Sequence, residues 1–237
     1  MTAARRATAE AAGTALLLAA VVGSGIMGER LAGGNVAIAL LANTLATGAM
    51  LVALILTFGP ISGAHFNPAV TLADAWQGGL SWGDVPGYIA AQAAGAFAGV
   101  AAAHLMFGEP VFRASRHVRA GSAQIFSEFV ATFGLLCVIL GCARVRSSAV
   151  PLAVGAYITG AYWFTASTSF ANPAVTLARS ASDTFAGIRP EDVPGFIVAQ
   201  LAGATAATLL FRWLAPPSPK AAASIVFPHS SEQKAVR

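Results

Sequence analysis

The seven-residue stretch NPAVTLA occurs twice in this chain, at residues 67–73 and 172–178. Asn is a favoured N-cap, and Pro is favoured at the first helical position because its missing N–H would have no partner there in any case. Each copy therefore predicts the start of a helix. Seven identical letters so far apart are very improbable by chance, so the repeat indicates a duplicated architecture.

The composition is that of a membrane protein. Of 237 residues, 56% are hydrophobic and 10% are charged, whereas roughly a quarter are charged in an ordinary soluble domain. A hydrocarbon core of about 30 Å takes roughly 20 helical residues to cross. Apolar runs near that length predict six spans in an all-α membrane protein, at 8–28, 35–58, 85–107, 122–142, 149–167 and 193–215.

The repeat extends beyond the seven letters. DVPGYIAAQAAGAFAG at 84–99 matches DVPGFIVAQLAGATAA at 192–207, and Glu10 corresponds to Glu128. Each half holds three spans, an odd number, so the second half enters the membrane from the opposite side and the halves are inverted copies. The predicted units are a single domain at 1–237, inverted repeats at 8–107 and 122–215, and a flexible tail at 216–237.

Each NPAVTLA copy lies between the second and third spans of its half. The apolar stretch from Asn67 to Trp76 predicts a helix of roughly 15 Å, half the hydrocarbon thickness, which can enter a membrane but not cross it. The preceding ISGAHF and TASTSFA are rich in small and polar residues. Irregular backbone survives at membrane depth only inside protein or against water. We therefore expect two re-entrant half-helices.

Inversion brings the two half-helices together, N-terminus to N-terminus, near the midplane. Each end carries partial positive charge and free N–H groups. Such a lumen reorients a passing water and opposes cations and protons. The expected partners are water, small neutral solutes and the lipid bilayer, without cofactor, metal or nucleic acid. The predicted pore motif is Asn67, Pro68, Ala69, Asn172, Pro173 and Ala174.

Two carboxylates lie within the predicted spans, Glu10 and Glu128. An intramembrane carboxylate is costly and is normally paired or functional. A secondary transporter is therefore an alternative function, since inverted repeats with broken helices also build transporters. The symmetrical placement of the two residues favours structural bracing, and no other carboxylate is available for ion coupling, so a passive channel is preferred. No intramembrane His pairs with a nucleophile or metal ligand, so the chain is not expected to be an enzyme.

The charge distribution gives a weak indication of orientation. Lys and Arg number eight on the side that carries both termini and six on the opposite side. Positive charge is enriched on the cytoplasmic side of membrane proteins. We therefore expect both termini in the cytoplasm. The expected location is as an integral protein of a bacterial inner (plasma) membrane.

SGAHFNPAV, with the second Asn-Pro-Ala, resembles the aquaporins and aquaglyceroporins of the major intrinsic protein family, over about residues 8 to 215. The resemblance implies a six-helix bundle with two re-entrant half-helices, assembled as a homotetramer with one pore per subunit. It also implies that Asn67 and Asn172 are the central pore donors and that the two Glu residues brace the re-entrant loops. His65 would lie near the cytoplasmic mouth.

The chain departs from the family pattern directly after the second Asn-Pro-Ala. The family normally has an Arg there, on one side of the outer constriction; here the residue is Val175. Matching spacing assigns the other constriction positions to Thr47, Gly160 and Ser169. None of the four is charged or aromatic. The resemblance therefore predicts a wide filter without Arg, suited to glycerol-sized solutes or undissociated arsenous acid.

Arg179 complicates this prediction. It follows Val175 by four residues and so lies on the same helix face. Because helical side chains lean toward the N-terminus, its guanidinium has the reach to approach Val175. Pairing with Asp183 or exposure to outer water is the favoured expectation. The arginines of the central loop are expected to form a solvated surface: Arg113, Arg116 and Arg119.

Overall fold

The computed structural model describes residues 1–215, so the predicted tail at 216–237 lies outside the described residues. Within residues 1–215 the regular structure is helical, which confirms the all-α class. The α-helices are α1 Ala3–Leu31, α2 Val36–Ser62, α3 Pro68–Gln77, α4 Val85–Phe107, α5 Ser122–Val145, α6 Val150–Phe164, α7 Pro173–Arg179 and α8 Val193–Leu214.

Five of these helices are long and apolar enough to cross a membrane: α1, α2, α4, α5 and α8 with the 3₁₀ turn before it. The sixth predicted span corresponds to α6, which has 15 residues. At 1.5 Å per residue it is about 22 Å long, and the 3₁₀ turn Ser147–Ala149 directly before it adds about 6 Å, so the two together come close to the hydrocarbon thickness. The predicted run at 149–167 stops being helical after Phe164 because Thr165 adopts an extended conformation, with φ −109° and ψ 137°.

Large apolar side chains cover the outside of the bundle. They are exposed on several of the long helices, for example Leu16, Leu45, Leu56, Leu105 and Leu152. A water-soluble monomer rarely exposes apolar surface on this scale, whereas a lipid-facing surface requires it. The chain is an integral membrane protein.

The two halves of the chain use the same order of helices. In each half, two helices are followed by a short half-helix and then by a long helix. These are α1 to α4 in the first half and α5 to α8 in the second. In the first half α1 packs against α2 and α4, and in the second half α5 packs against α6 and α8. The main contact between long helices of different halves is that of α2 with α6. This is the arrangement that the resemblance to the aquaporins implies; the exact repeat limits at 8–107 and 122–215 stay predictions.

Glycines allow α1 and α4 to approach closely. A Cβ at Gly95 would overlap the carbonyl oxygen of Ala11, and one at Gly99 would overlap that of Ala15. Small residues four apart let helix backbones touch within a membrane, where hydrophobic burial does not drive association. The close crossing of α1 and α4 therefore depends on these two glycines.

We expect Gly95→Leu to destabilise the bundle, because the side chain would force α1 away from α4. Overpacking of this kind costs about 1–3 kcal/mol or more. Thermal unfolding of the purified protein in detergent measures the loss. Gly87→Leu is the matched control, since a Cβ at Gly87, also on α4, meets no atom within 4 Å. Equal unfolding temperatures for the two variants would refute the packing argument.

Candidate functional site

A cavity of about 70 Å³ lies at the centre of the bundle, where both half-helices begin. Long helices of both halves supply apolar wall residues, including Leu17 of α1, Leu51 of α2 and Leu135 of α5. Asn67 and Asn172 also line this cavity. The two halves of the chain therefore enclose one space.

Each repeated Asn caps the half-helix that it precedes. The Oδ1 atom of Asn67 accepts a hydrogen bond from the backbone N–H of Ala69 at 2.9 Å, and that of Asn172 accepts from Ala174 at 3.0 Å. Both Asn residues have extended backbones, as N-caps do. The other residues of the predicted motif are buried in the first helical turns: Pro68, Ala69, Pro173 and Ala174.

The two Asn side chains also tie the half-helices to each other. Nδ2 of Asn67 donates to the carbonyl oxygen of Ala171 at 2.8 Å, and Nδ2 of Asn172 donates to that of Phe66 at 2.8 Å. A carboxamide has two N–H donors. One donor of each Asn is thus used to hold the site together, and the other donates no hydrogen bond within residues 1–215.

The N-termini of α3 and α7 face the same region. The helices have 10 and 7 residues, and their N-terminal ends carry partial positive charge there. Two converging positive ends oppose a cation and favour the oxygen atoms of a neutral solute.

The backbone before each Asn is strained in a matching way. Ala64 and Phe66 have φ values of +50°, Ser169 has +50° and Ala171 has +48°. These residues stand three and one positions before their Asn. A non-glycine residue in this region costs about 1–3 kcal/mol and persists only when its surroundings hold it in place.

Glu10 holds the first strained segment. Its carboxylate accepts hydrogen bonds from the backbone N–H of Phe66 at 2.7 Å and of His65 at 3.0 Å. It also accepts from Ser62 Oγ at 2.6 Å and from Gln92 Nε2 at 2.8 Å. Four donors on two buried oxygen atoms make this a brace.

Glu128 holds the second segment in the same way. It accepts from the backbone N–H groups of Phe170 and Ala171, both at 2.9 Å, and from Gln200 Nε2. Gln200 Nε2 also donates to Thr176 Oγ1 at 2.8 Å, so the brace reaches α7. The two carboxylates thus occupy equivalent positions relative to their Asn residues.

Gln92 and Gln200 are functional residues that the sequence analysis did not identify. Both are fully buried, and both link a brace to a half-helix. A signal was present in the sequence, because each Gln occupies the same place in the repeated DVPG stretches of 84–99 and 192–207. A polar residue kept in both copies of an apolar span indicates a buried partner.

His65 lies against the cavity, next to the first half-helix. Its Nδ1 atom is 3.1 Å from Thr71 Oγ1, and its Nε2 atom is 3.4 Å from Asp74 Oδ2. The ring also contacts Tyr88, with 5.4 Å between ring centroids. The structure therefore fixes the imidazole at the wall by its polar contacts.

Three of the four residues of the predicted constriction line this cavity, and Gly160 does not. Thr47, Ser169 and Val175 line the cavity, but Gly160 is exposed, and a Cβ there would meet no atom within 4 Å. At 100° per residue it stands about 200° around α6 from Tyr162, which does line the cavity. The Tyr162 hydroxyl lies 3.3 Å from Thr47 Oγ1. The cavity wall therefore contains an aromatic residue that chain spacing did not assign.

Arg179 is also placed differently from the favoured expectation. It is 1% exposed and lines the cavity together with Val175. Its Cζ atom lies 3.4 Å from the ring centroid of Phe170. Arg116 binds Asp183 instead, through its backbone N–H at 2.9 Å and its Nε at 3.1 Å. The prediction that Arg179 pairs with Asp183 or faces outer water is wrong.

The central loop is a solvated surface only in part. Arg113 and Arg116 are exposed and face Asp183, and the hydrogen bond from the Arg116 backbone N–H lowers the pKa of that carboxyl group. Arg119, however, is 8% exposed. Its expected place on the solvated surface is corrected, because it folds inward against Phe170, with 4.9 Å from Cζ to the ring centroid.

Apolar helices around a narrow cavity, with two half-helices meeting at its centre, define a membrane channel. A family model described as Major intrinsic protein matches residues 1–169 and 143–236. Aquaglyceroporin AqpS of Rhizobium meliloti (strain 1021) is 59% identical over 214 residues, 90% of this chain and 91% of that protein. The chain belongs to the major intrinsic protein family.

More distant relatives agree with this assignment. Aquaporin NIP1-4 of Oryza sativa subsp. japonica is 34% identical over 169 residues, 68% of this chain and 60% of that protein. The solved aquaglyceroporin of Plasmodium falciparum superposes with a TM-score of 0.71 at 22% identity, covering 91% of this chain and 98% of the other. That likeness concerns the fold. The chain is therefore a channel for water and small solutes and not an enzyme.

Proposed function

We propose that this chain conducts water and small uncharged solutes passively, including molecules of the size of glycerol or undissociated arsenous acid. The observation that carries the proposal is the pair Asn67 and Asn172, each with one amide N–H left for the cavity. The relative with 59% identity is named an aquaglyceroporin, which favours a polyol among the solutes.

The outer part of the cavity supports a solute with several hydroxyl groups. Ser169 Oγ and Arg179 Nη1 are buried and have no hydrogen-bond partner within residues 1–215, and both residues line the cavity. A buried polar group without a partner is costly, and a passing hydroxyl group relieves that cost. Val175 leaves more space than an Arg at the same position. The filter that we propose consists of Thr47, Tyr162, Ser169, Val175 and Arg179.

A secondary transporter is less well supported. Ion coupling needs a carboxylate that binds and releases a cation or proton during transport. Glu10 and Glu128 are both fully buried and bind the strained backbone before the half-helices. Protonation of either would release the pore segment that it holds. The two residues therefore fit a structural role better than a role in ion coupling.

The setting of the channel follows the same reasoning. We place the protein in a bacterial plasma membrane, with both termini in the cytoplasm and His65 near the cytoplasmic mouth. We also propose a homotetramer with one pore in each subunit, on the basis of the family resemblance. Accessibility of cysteines introduced into the first helix and the central loop would test the orientation.

A passive channel makes a clear prediction for flux in proteoliposomes. Glycerol flux should be equal in both directions, should be independent of proton or sodium gradients and should show little saturation, because no conformational cycle limits it. Light scattering after an osmotic step measures water and glycerol entry, with protein-free liposomes as the control. Accumulation of glycerol against its own gradient, driven by an ion gradient, would contradict the proposal.

A further inference from the structure

Two arginines from different parts of the chain share one aromatic ring beside the cavity. The guanidinium carbon of Arg179 lies 3.4 Å from the centroid of Phe170, and that of Arg119 lies 4.9 Å from it. The ring is itself held by Phe196, at 5.3 Å between centroids, and by the Glu128 brace on its backbone N–H. Phe170 therefore joins the central loop to the second half-helix.

Neither arginine has a carboxylate partner among the ion pairs of residues 1–215. Asp183 is occupied by Arg113 and Arg116. Asp192 forms an ion pair with Arg189. From Arg119 it accepts a hydrogen bond of the backbone N–H only. The buried Glu128 carboxylate attracts both guanidinium groups, but one negative charge offsets only part of two positive ones, so a net positive charge is fixed in this buried region.

Carbonyl oxygens take the place of carboxylates. Arg179 Nε donates to the carbonyl of Ala186, and Arg119 donates to those of Gly187 at 2.8 Å, Ser167 at 3.3 Å and Phe185 at 3.4 Å. These bonds and the face of the ring offset the cost of burial without cancelling the charge. Burial lowers the pKa of Arg119 to about 10, so this residue stays protonated near neutral pH.

We infer that Arg179 is the residue that excludes cations from the outer half of the pore, and that Arg119 positions it through Phe170. The inference rests on the proposed channel function. Arg179 lines the cavity, and its Nη1 atom has no partner within residues 1–215. A cation entering the cavity must approach this charge in a medium of low dielectric constant, where repulsion is strong.

Arg119 affects the pore indirectly, through the position of Arg179. It is not among the residues that line the cavity, so its charge reaches the pore chiefly through the position of its neighbour. Repulsion between the two guanidinium groups disfavours movement of Arg179 away from the pore toward the loop. Sequence spacing could not show this, because the loop and the half-helix meet only in the folded chain.

The test compares potassium and glycerol fluxes in proteoliposomes. Arg179→Met replaces the charge with an apolar side chain of similar length, and Arg179→Gln tests the same loss with a polar one. We expect either change to raise the ratio of potassium flux to glycerol flux by about tenfold or more. Arg116→Gln is the matched control, because Arg116 is an exposed arginine of the central loop, and its ratio should equal that of the native chain.

Arg119→Met tests the positioning role. We expect it to raise the flux ratio by about threefold, less than the loss of Arg179 itself. In a double-mutant cycle, Arg119→Met should add little in the Arg179→Met background, because the residue on which it acts is gone. A merely structural Arg119 would lower both fluxes and the folded yield together, and would leave the ratio unchanged.

The outcomes separate this inference from the proposed function. If the native chain shows no glycerol flux, the proposed function fails. If glycerol flux is present but folded Arg179→Met and Arg179→Gln channels exclude potassium as well as the native chain does, the assignment of Arg179 is wrong. If the effects of Arg119→Met and Arg179→Met are simply multiplicative, the positioning role of Arg119 is wrong.

Discussion

Glu128→Gln protein is expected to lose most of its water flux and to unfold well below the temperature of the native chain. The Glu128 carboxylate accepts hydrogen bonds from the backbone N–H groups of Phe170 and Ala171 and from Gln200 Nε2. The amide of Gln would point its own N–H group at one or more of these donors. Each buried donor left without an acceptor costs about 1–3 kcal/mol. The left-handed conformation of Ala171 would also lose its support.

Thermal unfolding in detergent and stopped-flow light scattering measure the two effects. A loss of a few kcal/mol corresponds to a fall of about 5 °C or more in a chain of this size. Glu29→Gln is the matched control, because Glu29 is an exposed carboxylate on α1. Unchanged water flux and unfolding temperature in Glu128→Gln would mean that the buried carboxylate does not hold the pore segment.

The half-helices could be predicted from the sequence because their cause is local. Asn as N-cap and Pro at the first position act on the next few residues, whatever the rest of the chain does. The inverted arrangement followed from an odd number of spans per half. The buried roles of Gln92 and Gln200 could also have been predicted, because the repeat places both at equivalent positions.

The constriction could not be read by counting along the chain. Between α6 and α7 the backbone is irregular, with left-handed residues at Thr168, Ser169 and Ala171. The rotation of α6 relative to the second Asn therefore depends on the path of this segment. That is why the spacing pointed to Gly160, whereas Tyr162 lines the cavity.

The arginine that binds Asp183 could not be predicted from the sequence either. Asp183 lies four residues from Arg179, which made a local ion pair attractive. Arg116 of the central loop binds Asp183 instead, and Arg179 stacks on Phe170. Competition between a local and a distant partner is settled by the packing of the loop, which no pattern in the sequence reports.

Val175→Arg is expected to cut glycerol flux by about tenfold or more, which corresponds to roughly 1.4 kcal/mol of added barrier, while water flux falls much less. Val175 faces the cavity together with Thr47 and Ser169. A longer side chain there narrows the passage, and water needs less width than glycerol. Val175→Met separates size from charge, because it adds length alone.

Val175→Arg combined with Arg179→Met moves the guanidinium one helical turn along the same face of α7. If the charge excludes cations and the side chain at residue 175 sets the width, this double variant should exclude potassium as the native chain does and should still pass glycerol poorly. Paired potassium and glycerol fluxes from one proteoliposome preparation measure both properties. Native glycerol flux in either folded variant with Arg at 175 would place the constriction elsewhere along the pore, since a guanidinium cannot enter the narrowest section without obstructing a solute of that size.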